Sequence, residues 1–128
     1  MKFLFSLLLF SFAFTASSQT VTAVDYIKTK PGEFDNYIEF LKKNWVVARD
    51  KAKEKGYIVS FQYLTNREDT SWDVTLMTEY KDEATYKERE KIFQQIFKEY
   101  FPKGAILVNG KRSKDMADIK MSKEMKKE

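Results

Sequence analysis

The order of apolar and polar positions along the chain predicts six regular elements joined by short connections. Residues 20–28 alternate in polarity over enough positions to predict a first strand. One side of this strand carries Val21, Ala23 and Ile27, and the other side carries Val24 and Tyr26. A helix is expected next, because Pro31 suits a first helical turn, where its missing N–H would have no partner anyway.

This first helix is predicted to end at Gly56, a residue type that favours helix termination, after lysine-rich last turns. Its apolar residues recur every three or four positions and form one stripe of Phe34, Tyr37, Ile38, Leu41, Trp45, Ala48 and Ala52. Trp45 is therefore predicted to be a core residue. Asn44, in the same helix, is expected to face water.

Two alternating segments, 57–65 and 72–80, flank the polar link "NREDTS" and predict an antiparallel hairpin. The more apolar side is expected to face the helices and consists of Tyr57, Val59, Phe61, Trp72, Val74 and Leu76. The other side consists of Ser60, Gln62, Leu64, Asp73, Thr75, Met77 and Glu79. The opposite assignment of the two sides remains open at this point.

A second helix is expected after the hairpin, with Asp82 as its cap and Glu83 in its first turn. Its apolar spacing predicts an end near 102–104, where proline and glycine interrupt the pattern. The last strand has two candidate positions, 105–109 and 116–121, and a short hairpin that uses both is a third option.

The element order is strand, helix, strand, strand, helix, strand. It predicts an α+β, ferredoxin-like βαββαβ fold, with a four-stranded antiparallel sheet and two helices on one face. No element is left to cover the other face, whose mixed polarity suits a partly filled cavity. We therefore expect a homodimer in which a second copy of the chain covers this face.

The stretch "MKFLFSLLLFSFAFTASSQT" has a basic start, an apolar run and small residues before Gln19, which is the pattern of a secretory signal peptide. The apolar run is short for a membrane span, although an uncleaved anchor is the alternative. The expected organisation is a signal peptide at 1–18, one domain at 19–122 and a charged tail at 123–128. The mature protein is then exported, periplasmic or secreted, without a membrane attachment.

The chain contains no cysteine and no histidine. Disulfides, histidine-based acid–base catalysis and histidine-ligated metals are therefore excluded, and no metal or other cofactor is expected. Without Lys2 there are 22 basic and 19 acidic residues, a net charge of +3 with the signs interspersed. This balance is not typical of a nucleic-acid-binding protein.

Two stretches carry a resemblance to a known family. In "VDYIKTKPGEFDNYIEFLKKN" a strand runs into a Pro-Gly helix start, and in "VTLMTEYKDEATYKERE" a strand ends in Glu-Tyr before an acidic helix start. The chain thus resembles the dimeric α/β-barrel superfamily, which includes the antibiotic-biosynthesis monooxygenase type. The resemblance implies a homodimer, and either cofactor-free oxidation of phenolic or quinone-like compounds or haem breakdown. Haem chemistry of that type uses a histidine ligand, which this chain lacks.

Candidate site residues follow from the uncovered face. Asp73 and Glu79 are candidate bases, because enclosure in an apolar barrel raises the pKa of a carboxyl group towards neutrality. A surface ion pair for Glu79 and a rim position for Asp73 are the competing interpretations. The candidate ligand-binding residues are Tyr26, Ser60, Gln62, Tyr63, Trp72, Thr75, Met77 and Arg112.

Two functions remain compatible with the sequence. The first is binding of a small, partly apolar ligand, with metal-free monooxygenase- or isomerase-like chemistry as an option. The second is a non-catalytic structural or interaction module whose barrel is filled by its own side chains. Fold alone does not decide between them, because sites rather than folds carry function.

Overall fold

A computed structural model describes residues 19–128 and shows one antiparallel sheet with the helices packed on one side. The strands are β1 (Val21–Thr29), β2 (Ile58–Thr65), β3 (Val74–Tyr80) and β4 (Ala117–Lys126). Their spatial order is β2-β3-β1-β4, which confirms the predicted ferredoxin-like α+β plan. The predicted signal peptide at 1–18 lies outside the described residues.

The helices follow the predicted order, with two irregularities. The first helical segment consists of α1 (Phe34–Phe40), a π-helical turn (Leu41–Trp45) and α2 (Val46–Glu54). The second consists of α3 (Glu83–Lys87) and α4 (Arg89–Tyr100), and a short α5 (Ser113–Met116) precedes β4. Gly56 has a φ of 80° just after α2, and Asp82 accepts the Thr85 N–H at 2.7 Å, so both predicted helix boundaries are confirmed.

Asn44 lies in the π-helical turn and is 2% exposed, so the expectation that it faces water was wrong. Its amide donates to the carbonyl oxygens of Phe40 and Ile106, and its Oδ1 accepts the Ile106 N–H at 2.7 Å. These bonds tie the loop after α4 to the first helix. An amide can be buried here because backbone groups pair both ends of it.

The core lies between the sheet and the helices and has two clusters. The first cluster contains Trp45, Leu41 and Val74. Trp45 is 9% exposed, which confirms the prediction that it is a core residue. The second joins α2 and α4 to the other end of the sheet through residues such as Ala52 and Ile96. Burial of large apolar side chains contributes roughly 1.5–3 kcal/mol each, and this burial holds the helices on one face.

Two face assignments in the hairpin were wrong. The register of β2 shifts between Ile58 and Ser60, which indicates a bulge, so Ile58 is buried while Val59 is 48% exposed. Because one extra residue reverses the alternation, Val59 leaves the core side. Trp72 makes a tilted ring contact with Tyr26, at 4.9 Å between ring centroids, instead of joining the helix-side cluster.

The last strand is β4, so the candidate position at 116–121 is the correct one and the strand is longer than expected. Residues 105–109 contain only an isolated bridge between Val108 and Lys111. Residues 123–126 belong to β4, so the expected tail at 123–128 is mostly part of the sheet. Strand β4 pairs along nearly the whole of β1, and this pairing explains its length.

Candidate functional site

The pairing of β1 with β3 decides which residues share each side of the sheet. On the helix side, Ala23 lies opposite Thr78 and Asp25 lies opposite Leu76. No helix among residues 19–128 covers the other side, which we call the open face. From the four strands it presents Thr22, Val24, Tyr26, Ser60, Gln62, Leu64, Thr75, Met77, Glu79, Met121, Lys123 and Met125.

Most of the predicted ligand-binding residues lie together on the open face. Tyr26 pairs with Thr75, and Gln62 pairs with Met77. Trp72, in a tilted ring contact with Tyr26, lines a depression of about 220 Å³ at one end of this face. Thr75, another predicted ligand-binding residue, lines the same depression.

Two other predicted ligand-binding residues lie elsewhere. Tyr63 faces the helices and makes an edge contact with Trp45, at 6.5 Å between ring centroids. Arg112 is exposed at the start of α5, where its backbone N–H donates to Asp115 at 2.9 Å. The structure does not bring either residue next to the open-face group.

Glu79 lies on the open face among hydrogen-bond donors. Its carboxylate accepts from the hydroxyl groups of Thr20 and Ser60, at 2.8 and 3.1 Å, and pairs with Lys127 at 3.2 Å. The Thr20 hydrogen bond is the main cause that lowers the pKa of Glu79. This direction is opposite to the rise expected for a base in an apolar chamber.

Asp73, the other candidate base, is 4% exposed just before β3. Its Oδ1 accepts the Thr29 N–H at 2.9 Å, while Oδ2 accepts the Thr29 hydroxyl group and pairs with Lys28 at 3.5 Å. Both oxygens are thus used to join the end of β1 to the start of β3. Bonding of this kind is typical of a structural carboxylate.

A larger cavity, of about 480 Å³, lies on the helix side of the sheet. We call it the helix-side cavity. Strands β1, β3 and β4 form its floor, and α2, α4 and the start of the second helical segment form its walls. Its lining residues are Ala23, Asp25, Arg49, Thr78, Tyr80, Tyr86, Arg89, Glu90, Phe93, Ser122, Lys123 and Glu124.

Arg49 is the basic residue of α2 that lines this cavity, and it reaches the sheet at Thr78. Its guanidinium carbon lies over the rings of Trp45 and Phe93, 4.8 and 4.1 Å from their centroids. Its Nε donates a long, 3.4 Å hydrogen bond to the Thr78 hydroxyl group. Such cation–π contacts hold a guanidinium in place without using its N–H donors.

The terminal nitrogens of Arg49 have no hydrogen-bond or ion-pair partner among residues 19–128. They are not fully buried either, because no buried side-chain nitrogen or oxygen in that part of the chain lacks a partner. Burial lowers the pKa of Arg49 to about 10, while Tyr80 and Asp25 act in the opposite direction. Arg49 is therefore protonated at neutral pH, and its half-buried guanidinium has donors without a partner in the described part of the chain.

Asp25 faces the cavity from the middle of β1. One carboxylate oxygen accepts the Ser122 hydroxyl group at 2.6 Å. Within the described chain, Asp25 and Arg49 form no ion pair, although the charge of Asp25 acts on Arg49. Arg49 and Asp25 are thus a cation and a carboxylate at the sheet end of the cavity. Its other charged lining residues are Arg89 and the exposed Glu90, Lys123 and Glu124.

The remaining lining is mostly aromatic or charged. Tyr80 and Tyr86 meet edge to face, at 5.4 Å between centroids, and burial raises the pKa of Tyr80. Arg89 lies over the ring of Tyr86 at 4.2 Å and donates to the Tyr86 carbonyl oxygen at 3.1 Å. The walls therefore combine ring surfaces with groups of both charges.

Two other kinds of site are absent from residues 19–128. No group of three or more acidic residues is arranged to hold a metal ion. No helix in the same range has both the length and the apolar character needed to cross a membrane.

Sequence reasoning missed both Arg49 and Asp25, although each interrupts an apolar pattern. Arg49 follows Trp45 by four positions and precedes Ala52 by three, so it lies on the apolar stripe of the first helix. Asp25 falls between Ala23 and Ile27 on the apolar side of β1. A charged residue on a core-facing position is costly unless it is paired, and this was the available signal.

Comparison with solved structures places this architecture among known folds. A conserved protein from Methanosarcina mazei Go1 is 16% identical, with a TM-score of 0.56 over 88% of this chain and 96% of that chain. HapK from Hahella chejuensis is 9% identical, with a TM-score of 0.56 over 84% and 91%. A protein from Chloroflexus aurantiacus J-10-fl, provisionally described as an antibiotic biosynthesis monooxygenase, is 10% identical, with a TM-score of 0.52 over 84% and 92%.

These similarities define the class of the fold. The protein has a ferredoxin-like α+β fold similar to the folds of these solved structures, as its resemblance to the α/β-barrel superfamily implied. At identities this low, the similarity establishes the fold and leaves the activity open. No protein-family model matches the sequence, and no curated protein matches it significantly.

Proposed function

We propose that this chain is an exported, homodimeric protein that binds a small, partly apolar ligand in its helix-side cavity. The observation that carries the proposal is Arg49, a half-buried cation that lines the cavity and whose terminal N–H groups have no partner among residues 19–128. Removing a charge from water without a partner costs free energy, so a ligand that pairs with Arg49 is expected to complete this site. Export rests on the signal-like pattern at 1–18.

The cavity suits a small molecule in size and in chemistry. Its volume of about 480 Å³ falls in the range of ordinary ligand sites. Phe93, Tyr80 and Tyr86 supply ring surface, while Arg49 and Asp25 supply polar contacts. The helix-side cavity is thus large enough for a small molecule even if side chains fill the barrel interior between two sheets.

Metal-free monooxygenase- or isomerase-like chemistry is a second, separate part of the proposal. A similar fold occurs in the provisionally described monooxygenase from Chloroflexus aurantiacus J-10-fl. If this protein abstracts a proton, Asp25 is the half-buried carboxylate on the cavity floor, whereas Glu90 and Glu124 are exposed and Asp73 and Glu79 are engaged elsewhere. Ligand binding does not depend on that chemistry.

The homodimer is proposed from the open face. Leu64 and Met125 are 53% and 48% exposed on this face. Met77, in the middle of β3, is half-buried on the same face. A sheet face with this much apolar surface is stabilised when another layer covers it. A second copy of the chain supplies such a layer, because its own open face has the same mixture of apolar and polar groups.

Met77→Glu tests the dimer, because it places a charge in the middle of the open face. We expect the wild-type domain to be a dimer at micromolar concentration in light scattering, and the variant to be a monomer. Lys98→Glu, at an exposed position of α4, is the matched control and should remain dimeric. A wild-type monomer, or a dimer in both variants, would contradict the proposed interface.

Ala23→Phe tests the cavity. Ala23 lies on its floor, so a phenylalanine ring should fill part of the space and block entry. Nile red, a neutral dye that fluoresces in apolar sites, should gain fluorescence with the wild-type protein and lose most of that gain with Ala23→Phe. Thr70→Phe, in the exposed β2–β3 turn, should behave like the wild type. Equal dye binding by all three proteins would contradict a ligand site in this cavity.

A further inference from the structure

The polar groups of the helix-side cavity narrow the class of ligand. Arg49 is fixed by Trp45 and Phe93 and by a single hydrogen bond through Nε. Its free donors are therefore the terminal N–H groups at the edge of the guanidinium plane. Two such parallel donors match the two oxygens of a carboxylate better than they match a single neutral acceptor.

Asp25 supplies a hydrogen-bond acceptor that complements the donors of Arg49. Ser122 donates to one of its oxygens, and within the described residues the other oxygen has no donor. A carboxylate of this kind accepts a hydrogen bond from a ligand hydroxyl group and repels a second anionic group. The ligand should therefore present its negative charge to Arg49 and a neutral donor to Asp25.

The space between these groups is bounded by rings. Phe93, Tyr80 and Tyr86 line the same cavity, and Tyr80 meets Tyr86 edge to face. Flat ring surfaces favour a planar ligand, since aromatic groups stack and make edge contacts over large areas. A flexible, fully aliphatic acid would use this surface less well.

We propose that the helix-side cavity recognises a planar, aromatic or conjugated carboxylic acid that also carries a hydroxyl group. The carboxylate binds the terminal N–H groups of Arg49, and the hydroxyl group donates to Asp25. This inference rests on the proposed ligand-binding function and adds the class of ligand. Arg49 and Asp25 are the residues that determine specificity in it.

The test compares three probes by calorimetry: para-hydroxybenzoate, para-hydroxybenzamide and benzoate. On the wild-type protein the acid should bind at least about tenfold more tightly than its amide, the size of one charge-assisted bidentate contact. It should also bind about fivefold more tightly than benzoate, because benzoate lacks the hydroxyl donor. Both comparisons are made on the unaltered protein and do not depend on the folding of a variant.

Variants then assign the preferences to residues. Arg49→Gln should remove the preference for acid over amide, and Arg49→Lys should reduce it to about threefold, because lysine keeps the charge without the planar pair of donors. Asp25→Ala should remove the advantage of the hydroxyl group and leave benzoate binding undiminished, since a repelling charge is lost. Circular dichroism checks that each variant is folded.

Failure of this inference is distinguishable from failure of the proposed function. If Nile red binding is blocked by Ala23→Phe but acid and amide bind equally, the ligand class is wrong and the cavity remains a ligand site. Survival of the acid preference in Arg49→Gln would also overturn the assignment. If none of the probes and no dye binds the wild-type protein, both proposals are wrong.

Discussion

Asp73→Ala is expected to destabilise the domain by about 3 kcal/mol, because it leaves buried partners without their acceptor. The Thr29 N–H and hydroxyl group would both lose their hydrogen bonds, and Lys28 would lose its counter-charge. These contacts join the end of β1 to the start of β3, so the loss should loosen the centre of the sheet. Chemical denaturation followed by circular dichroism measures the change.

Two companion variants sharpen this prediction. Thr29→Val removes only the hydroxyl donor and should cost about 1 kcal/mol. Glu68→Ala, an exposed acidic residue in the neighbouring turn, should leave stability within about 0.5 kcal/mol of wild type. An Asp73→Ala protein of unchanged stability would contradict a structural role and restore Asp73 as a candidate catalytic base.

Trp45→Ala is expected to have the largest effect of any substitution considered, about 3–5 kcal/mol of lost stability. Trp45 is 9% exposed and contacts the rings of Phe61 and Tyr63. Its removal leaves a cavity in the larger core cluster, which the surrounding residues refill only in part. Thermal and denaturant unfolding both report this loss.

The second tryptophan is the matched control. Trp72 is half-buried and its aromatic contact is with Tyr26, so Trp72→Ala should cost about 1 kcal/mol. Trp45→Phe, which keeps a ring against Phe61, should recover much of the loss seen with alanine. Similar losses at Trp45 and Trp72 would mean that the core does not lie on the helix side alone.

Much of the fold was predictable because it depends on local patterns. The three-and-four spacing that includes Trp45 predicted the first helix and its buried face, and Asp82 and Gly56 marked helix boundaries. The alternation on both sides of "NREDTS" predicted the hairpin of β2 and β3. Element order then restricted the arrangement to the ferredoxin-like plan, which the solved structures share.

The errors arose where a single residue changed the local geometry. The bulge near Ile58 reversed the exposure of Val59, and the π-helical turn placed Asn44 where the Ile106 backbone could pair with it. Neither irregularity has a strong sequence pattern. Each depends on contacts with residues distant along the chain, which local periodicity does not report.

The candidate site was the least predictable part. Glu79 and Asp73 were sensible candidates as carboxylates on a polar strand side, but their partners come from other elements. Thr20 and Lys127 bind Glu79 from the two ends of the described chain. The helix-side cavity likewise needs Arg49 from α2 to meet the middle of β3.

The sequence by itself determined the two helical segments, the first three strands and the order of the elements, because these properties follow from the spacing of apolar side chains within one segment. Only the tertiary structure decided that Arg49 and Asp25 share a cavity and that Asp73 is fully bonded. The physical reason is that a charge, a cavity and a hydrogen-bond network are completed by groups from several segments. Their energies depend on distances that exist only after the segments have packed.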